Sequence, residues 1–186
     1  MKLTPAVLAL TVAVLSGCSH SLQHRSERLT LSENTFIATN QIAVDRLIRH
    51  LDARLPAGSG PLLVTTLVNI DDLDTSSTLG RVISEQVTSR FVQHDYRIVE
   101  MKFGKSVYMH RDQGEMVLTR AVQETASQHA AKAVVVGTYG ESRNHAFISL
   151  KVVQPETSAI IAVHDYAVPL SHGISLMLRN RPTATP

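Results

Sequence analysis

The 186-residue chain carries 18 basic and 16 acidic side chains, a formal charge of +2 with histidine neutral. That balance, with no basic stripe along the sequence, excludes a phosphate-tracking nucleic-acid surface. Tryptophan is absent, and four Phe and four Tyr are too few for a platform that stacks sugars or bases.

At the amino terminus Lys2 precedes an apolar stretch, Leu3 to Leu15, interrupted only by Thr4, Pro5 and Thr11. Small residues follow, and the run closes as Leu15-Ser16-Gly17-Cys18. This is the layout of a secretory signal, and it is too short to span a bilayer as a mature helix. Its ending resembles the bacterial lipoprotein box, which implies cleavage before Cys18 and fatty acylation of that residue on its thiol and new amino group. Cys18 is the only cysteine, so no intramolecular disulfide forms. The alternative is an ordinary secretory signal in which Cys18 is incidental. Serine rather than aspartate at position 19 directs the lipoprotein resemblance to the outer membrane. Residues 1–17 are therefore expected to be a signal peptide, and residues 18–32 the lipidated cysteine with a polar, aperiodic, flexible tether. Without the first seventeen residues, which hold Lys2 and no acid, 17 basic residues face 16 acidic ones, and the length suits one domain, residues 33–170.

Thr30-Leu31-Ser32-Glu33 matches a capping box. Ile37, Val44, Leu47, Ile48, Leu51 and Leu55 follow at helical spacing, and Pro56, Gly58, Gly60 and Pro61 stop the helix. Leu62 to Ile70 is rich in β-branched residues and reads as one buried strand ending at Asp71-Asp72. Capping oxygens at Asp74 to Ser77 introduce a second helix, with Leu79, Val82, Ile83, Val87 and Phe91 inward, ending near His94. Tyr96 to Met101 alternates as a second strand. Residues 102–116 show no clear pattern. Val117 to Ala130 reads as a third helix with Leu118, Ala121, Val122 and Ala126 inward. Ala133 to Tyr139 has the continuous apolar pattern of a central strand. Ala146 to Val153 and Ala159 to Val168 form a hairpin turned at Pro155-Glu156-Thr157-Ser158. In the tail, residues 171–186, Ile174, Leu176, Met177 and Leu178 suit a short docked helix before a loose end. The order α-β-α-β-α-β-β-β predicts an α/β (α+β-like) fold: a mixed sheet of about five strands, parallel where helices intervene and antiparallel in the final meander, with helices packed on it.

Four blocks carry a family resemblance: Pro61 to Asp74, Ser77 to Arg90, Ala133 to Tyr139, and Val163-His164-Asp165-Tyr166. Together, over roughly residues 36 to 170, the chain resembles the FlgO family of flagellar outer-membrane lipoproteins. The resemblance implies a non-enzymatic component at the outer-membrane end of the flagellum, supporting assembly, anchoring and motility. It implies other flagellar basal-body or outer-membrane proteins as partners, the membrane held through the lipid, and a domain facing the periplasm. Homo-oligomerisation, including a closed ring, also fits. The fold it implies is similar to the amino-terminal domain of TolB and the periplasmic domain of the curli-secretion lipoprotein. The tail after Leu170 departs from the pattern.

Candidate chemistry is sparse. Asn69, Asp71, Asp72 and Asp74 cluster at the carboxyl end of the first strand, where α/β sheets often bind ligands. They lack the order of an EF-hand loop, and such residues also form turns and caps, so they are carried forward as an interaction loop and not as a metal site. Gly104-Lys105-Ser106 imitates a phosphate loop, but Val99 stands where the first glycine belongs. His20 and His24 lie in the expected tether and suit a solvated linker better than a metal site. His164 and Asp165 are adjacent in a strand and point to opposite faces, so they form no catalytic pair, whereas His164 and Tyr166 share a face suited to a surface or interface. No cofactor, metal or catalytic residue is expected. Against the structural flagellar role stand two others: a secretion-channel or transport accessory lipoprotein, and a periplasmic ligand-binding lipoprotein using the Asp71 to Asp74 loop.

Overall fold

The computed structural model describes residues 18–100 and 119–179, with the backbone alone for residues 18–33 and Glu100. The elements run α1 (Cys18–Asp52), β1 (Leu62–Val64), β2 (Val68–Asn69), α2 (Thr78–Gln93), β3 (Ile98–Glu100), α3 (Arg120–Gln128), β4 (Ala133–Glu141), β5 (His145–Val153), β6 (Ile160–Pro169) and α4 (His172–Arg179). The chain divides into two compact units after Phe36. The described part of the first is helical, and the second carries the sheet.

The sheet order is β3-β1-β4-β5-β6, with β2 also beside β4. β1 pairs in parallel with β3 and β4, and β4, β5 and β6 form an antiparallel meander. This is the expected mixed sheet with helices packed against it. β4, the continuous apolar run, is the central strand, buried from Ala133 through Gly137.

The first strand is not continuous. Val64 pairs with Val135 and Val68 with Thr138, so four steps of chain oppose three, and the extra residue breaks the ladder. At the break the Leu67 amide donates to Ser84 Oγ at 2.8 Å, and the Ser76 hydroxyl donates to the Leu67 carbonyl at 2.7 Å. Hydroxyls around α2 thus replace ladder bonds that buried backbone requires. The extra residue also resets alternation, so that Leu63 and Val68, of opposite parity, point into one cluster.

That cluster lies under α3, whose Val122 and Ala126 pack with Leu63, Val68, Val134, Val136 and Val153. Ala121, expected inward, is exposed, and Leu118 lies outside the described residues. The helix begins at Arg120, and its buried stripe consists of Val122 and Ala126, four residues apart, with Ala121 beside it on the solvent side. The opposite face of the sheet receives α1 and α2. Val44, Leu47, Ile48 and Leu51 of α1, with Leu79, Ile83, Val87 and Phe91 of α2, are buried there. Each contributes roughly 1.5–3 kcal/mol of transfer free energy. Ile37 is exposed, and Leu55 follows the helix as part of a turn closed onto the Leu51 carbonyl. Val82 is half-buried. α4 packs beside α2 through Ile174 and Leu178, whereas Leu176 is exposed and Met177 half-buried.

α1 starts earlier than the capping box indicated. Its backbone is helical from Cys18 through Thr30 to Glu33, so no helix terminus exists there for that motif to cap. The stretch expected as a flexible tether is therefore helical. Its polar, Gly- and Pro-free composition is compatible with helix even though no apolar stripe marks it. Residues 1–17, 101–118 and 180–186, on which the expected signal peptide, Gly104-Lys105-Ser106 and the expected loose end fall, lie outside the described residues.

Candidate functional site

Asp71, Asp72 and Asp74 sit in the turn between β2 and α2, and all three side chains are exposed. Asn69 Oδ1 accepts the Asp71 amide at 2.9 Å, Asp72 Oδ1 accepts the Asp74 amide at 3.4 Å, and the Thr75 hydroxyl donates to the Asp72 carbonyl at 3.1 Å. These are turn-forming bonds of the kind Asn and Asp make with nearby backbone. The cap of α2 comes from Ser77, whose hydroxyl accepts the Gly80 amide, and not from an aspartate. Among the described residues no three His, Cys, Asp or Glu side chains converge to hold a metal ion. Cys18 is the first described residue of α1. No described helix is long and apolar enough to cross a membrane.

His164 and Tyr166 share a face of β6, as strand alternation requires, and their rings stack at 6.3 Å with 13° between planes. That face turns toward α1. The Tyr166 hydroxyl donates to Asn40 Oδ1 at 2.7 Å, and Asn40 Nδ2 donates to Gln86 Oε1 at 2.6 Å. Asn40 is completely buried, and this chain ties β6, α1 and α2 together. Burial pushes the Tyr166 hydroxyl well above the usual tyrosine range. Burial also lowers His164, joined by the positive charges of Arg46, His50 and Arg49 on α1, while Asp165 opposes.

Two further bridges escape sequence reading. Asp45 of α1 receives Arg90 in a bidentate grip, 2.6 Å from Nε and 2.7 Å from Nη2, and His94 Nε2 stands 2.9 Å away. The Arg90 guanidinium holds the Asp45 carboxyl below the ordinary carboxylate value, with His94 assisting against partial burial. The Tyr96 hydroxyl sits 2.5 Å from Asp52 Oδ1 and 2.8 Å from the Leu55 carbonyl, its single proton shared between them. Burial and Asp52 raise its ionisation above the tyrosine range. Besides the shared face of His164 and Tyr166, the sequence holds one signal for this layer in Asn40, a polar residue at the helical spacing of the buried Phe36, Val44, Leu47 and Leu51.

α1 also reaches the sheet edge. Arg54 Nη1 donates to the Ile161 carbonyl at 3.1 Å, and His50 Nδ1 lies 3.4 Å from the Val163 carbonyl. On the other face α3 covers β1, β2, β4 and the Val153 end of β5. There the β5–β6 hairpin leaves Phe147 and Val163 exposed. Beside them Ile70, Asp71, Gly140, Glu141, Asp165 and Ala167 border an open groove of about 620 Å³.

The polar groups along α1 thus join it to α2, to the segment before β3 and to β6. The sequence family model for FlgO protein matches residues 41–172, which takes in every described element from mid-α1 through β6. The chain belongs to the FlgO family. No curated protein sequence matches it. Among solved structures, this FlgO-family chain is similar to the LpoB C-terminal domain from Salmonella enterica at 13% identity and a TM-score of 0.43, covering 68% of this chain and 97% of that one. The LpoB C-terminal domain from Escherichia coli gives 15% identity and a TM-score of 0.43, covering 67% and 96%. A PelC dodecamer from Paraburkholderia phytofirmans gives 12% identity and a TM-score of 0.41, covering 66% and 84%.

Proposed function

We propose that this FlgO-family chain is an outer-membrane lipoprotein, acylated at Cys18, that supports flagellar assembly, anchoring and motility without catalysing a reaction. Family membership over residues 41–172 carries the reading. The Leu15-Ser16-Gly17-Cys18 signal supports the anchor, because a single acyl chain holds a protein only reversibly while two or more hold it stably. The bonding of Asp45, Arg90, Asp52, Tyr96, Asn40 and Tyr166 supports a scaffold, since each group acts in joining elements. The domain faces the periplasm, and its partners are proteins at the outer-membrane end of the flagellum. The Asp71 to Asp74 loop belongs to its interaction surface.

The test is a deletion in the native bacterium complemented with wild-type or Cys18→Ser protein. Deletion should impair swimming and flagellation, and Cys18→Ser should accumulate unprocessed and fail to restore them. Normal motility in the deletion strain overturns the flagellar role. Mass spectrometry of the mature polypeptide with a bare Cys18 thiol overturns the anchor.

A further inference from the structure

Two surfaces on opposite sides of the sheet domain have matching chemistry. The first is the groove on the uncovered face of the β5–β6 hairpin. Phe147 is 56% exposed and Ile70 59% exposed, and with Gly140 and Ala167 they make an apolar floor. Its rim is acidic, formed by Asp71, Glu141 and Asp165. Among the described residues none of these three carboxylates belongs to a salt bridge. An apolar floor rimmed by one sign of charge selects an apolar segment flanked by the opposite sign.

Such a segment lies on α1. Ile42, Arg46 and Arg49 are spaced i, i+4 and i+7, which sets them along one helix face. Ile42 is 52% exposed, and both arginines are exposed. The neighbouring acids of α1 are engaged elsewhere: Asp45 with Arg90 and His94, Asp52 with Tyr96. Arg46 and Arg49 therefore keep their charge for another surface, with no salt bridge among the described residues.

One molecule cannot bring the two together. Tyr166 points to the α1 side of the sheet, and its strand neighbours Asp165 and Ala167 point to the other, where the groove lies. The stripe must enter the groove of a different molecule. We propose that a second copy of this chain docks the Ile42, Arg46 and Arg49 stripe of its α1 into the acidic-rimmed groove at Ile70 and Phe147. The contact uses two different patches, so it is heterologous and propagates head to tail, closing into a ring where the rotation permits. This assembly does not depend on the flagellar role.

The test is analytical ultracentrifugation of the full-length lipoprotein in detergent, with thermal melts verifying that each variant folds. Arg49→Glu alone and Glu141→Lys alone should each weaken self-association about tenfold, because each sets like charges together. The two combined should restore it, because the pair is re-formed with reversed sign. Wild-type protein that remains monomeric at high concentration, or single reversals that leave association unchanged, overturn the proposal. A photo-crosslinking residue at Phe147 in intact cells should give a product of twice the chain's mass. A crosslink to a different polypeptide instead overturns the second copy as occupant.

Discussion

Asp45 shows how one side chain can unite two helices. Its carboxylate takes both nitrogens of the Arg90 fork while His94 approaches the same oxygen, and less than a third of either ion-pair side chain is exposed. Hydrogen bonds to charged groups contribute about 1.5–3 kcal/mol, so Asp45→Asn should cost about that much in urea unfolding. Because the folded carboxyl ionises below its ordinary value of 3.8, this stabilisation is full above that pH and is lost as acid titrates the folded group. The variant should therefore lose less stability than wild type on acidification, and parallel pH profiles would count against the bridge. His164 acts in the opposite range. Its folded form resists protonation through burial and the cations of α1, so stability should fall as pH drops below the ordinary value of 6.5. His164→Gln should flatten that part of the profile, measured by thermal melts between pH 7.5 and 5 at roughly unit steps. Little of this layer was legible in the sequence. Asp45 lies 45 residues from Arg90 and 49 from His94 along the chain, so no local pattern links them, and Asn40 alone interrupts the apolar stripe of α1. The Asp71 to Asp74 cluster was visible, but its geometry is that of a turn.

Most elements were legible because their causes are local. Helical spacing in α2, alternation in β5 and the apolar run of β4 each follow from one face, or two, meeting the core. The split of β1 from β2 was not, since it depends on Ser76 and Ser84 supplying bonds from a helix that folds over the strand. Nor was the beginning of α1, where polar residues without periodicity are helical. Gly80 belongs to the same crossing. A Cβ there would stand 2.5 Å from the Leu67 carbonyl and 2.8 Å from the Tyr139 ring. In an open helix Gly→Ala stabilises by about 1 kcal/mol, whereas overpacking against backbone costs about 1–3 kcal/mol. The clash wins, and Gly80→Ala should lower stability, with a rise in melting temperature as the contrary result. At the sheet edge, Arg54 and His50 occupy outward carbonyls of β6, a long strand that would otherwise invite pairing with other chains. The double variant His50→Ala/Arg54→Ala should aggregate faster by light scattering with little change in melting temperature. Unchanged aggregation would show that the edge needs no such cover.

At the scale of the whole molecule, charge is nearly balanced in number, yet Arg46 and Arg49 stand exposed on α1 while Asp71, Glu141 and Asp165 border the groove. The sheet itself is uneven. β4, β5 and β6 have nine, nine and ten residues and neighbour one another in sequence, whereas β1 and β3 have three each and reach the sheet across long connections. Contacts close in sequence form faster than distant ones, so the meander should gain hydrogen-exchange protection before β1 in a pulse-labelled refolding experiment. Simultaneous protection of both would argue otherwise. The Asn40 to Tyr166 bond closes a span of 126 residues, and the His50 to Val163 contact one of 113. Folding therefore completes the ties between α1 and the sheet edge only when the final strand is in place. Any polypeptide cut short before β6 loses both ties and leaves Asn40 without its Tyr166 partner, a mark for proteases to act on.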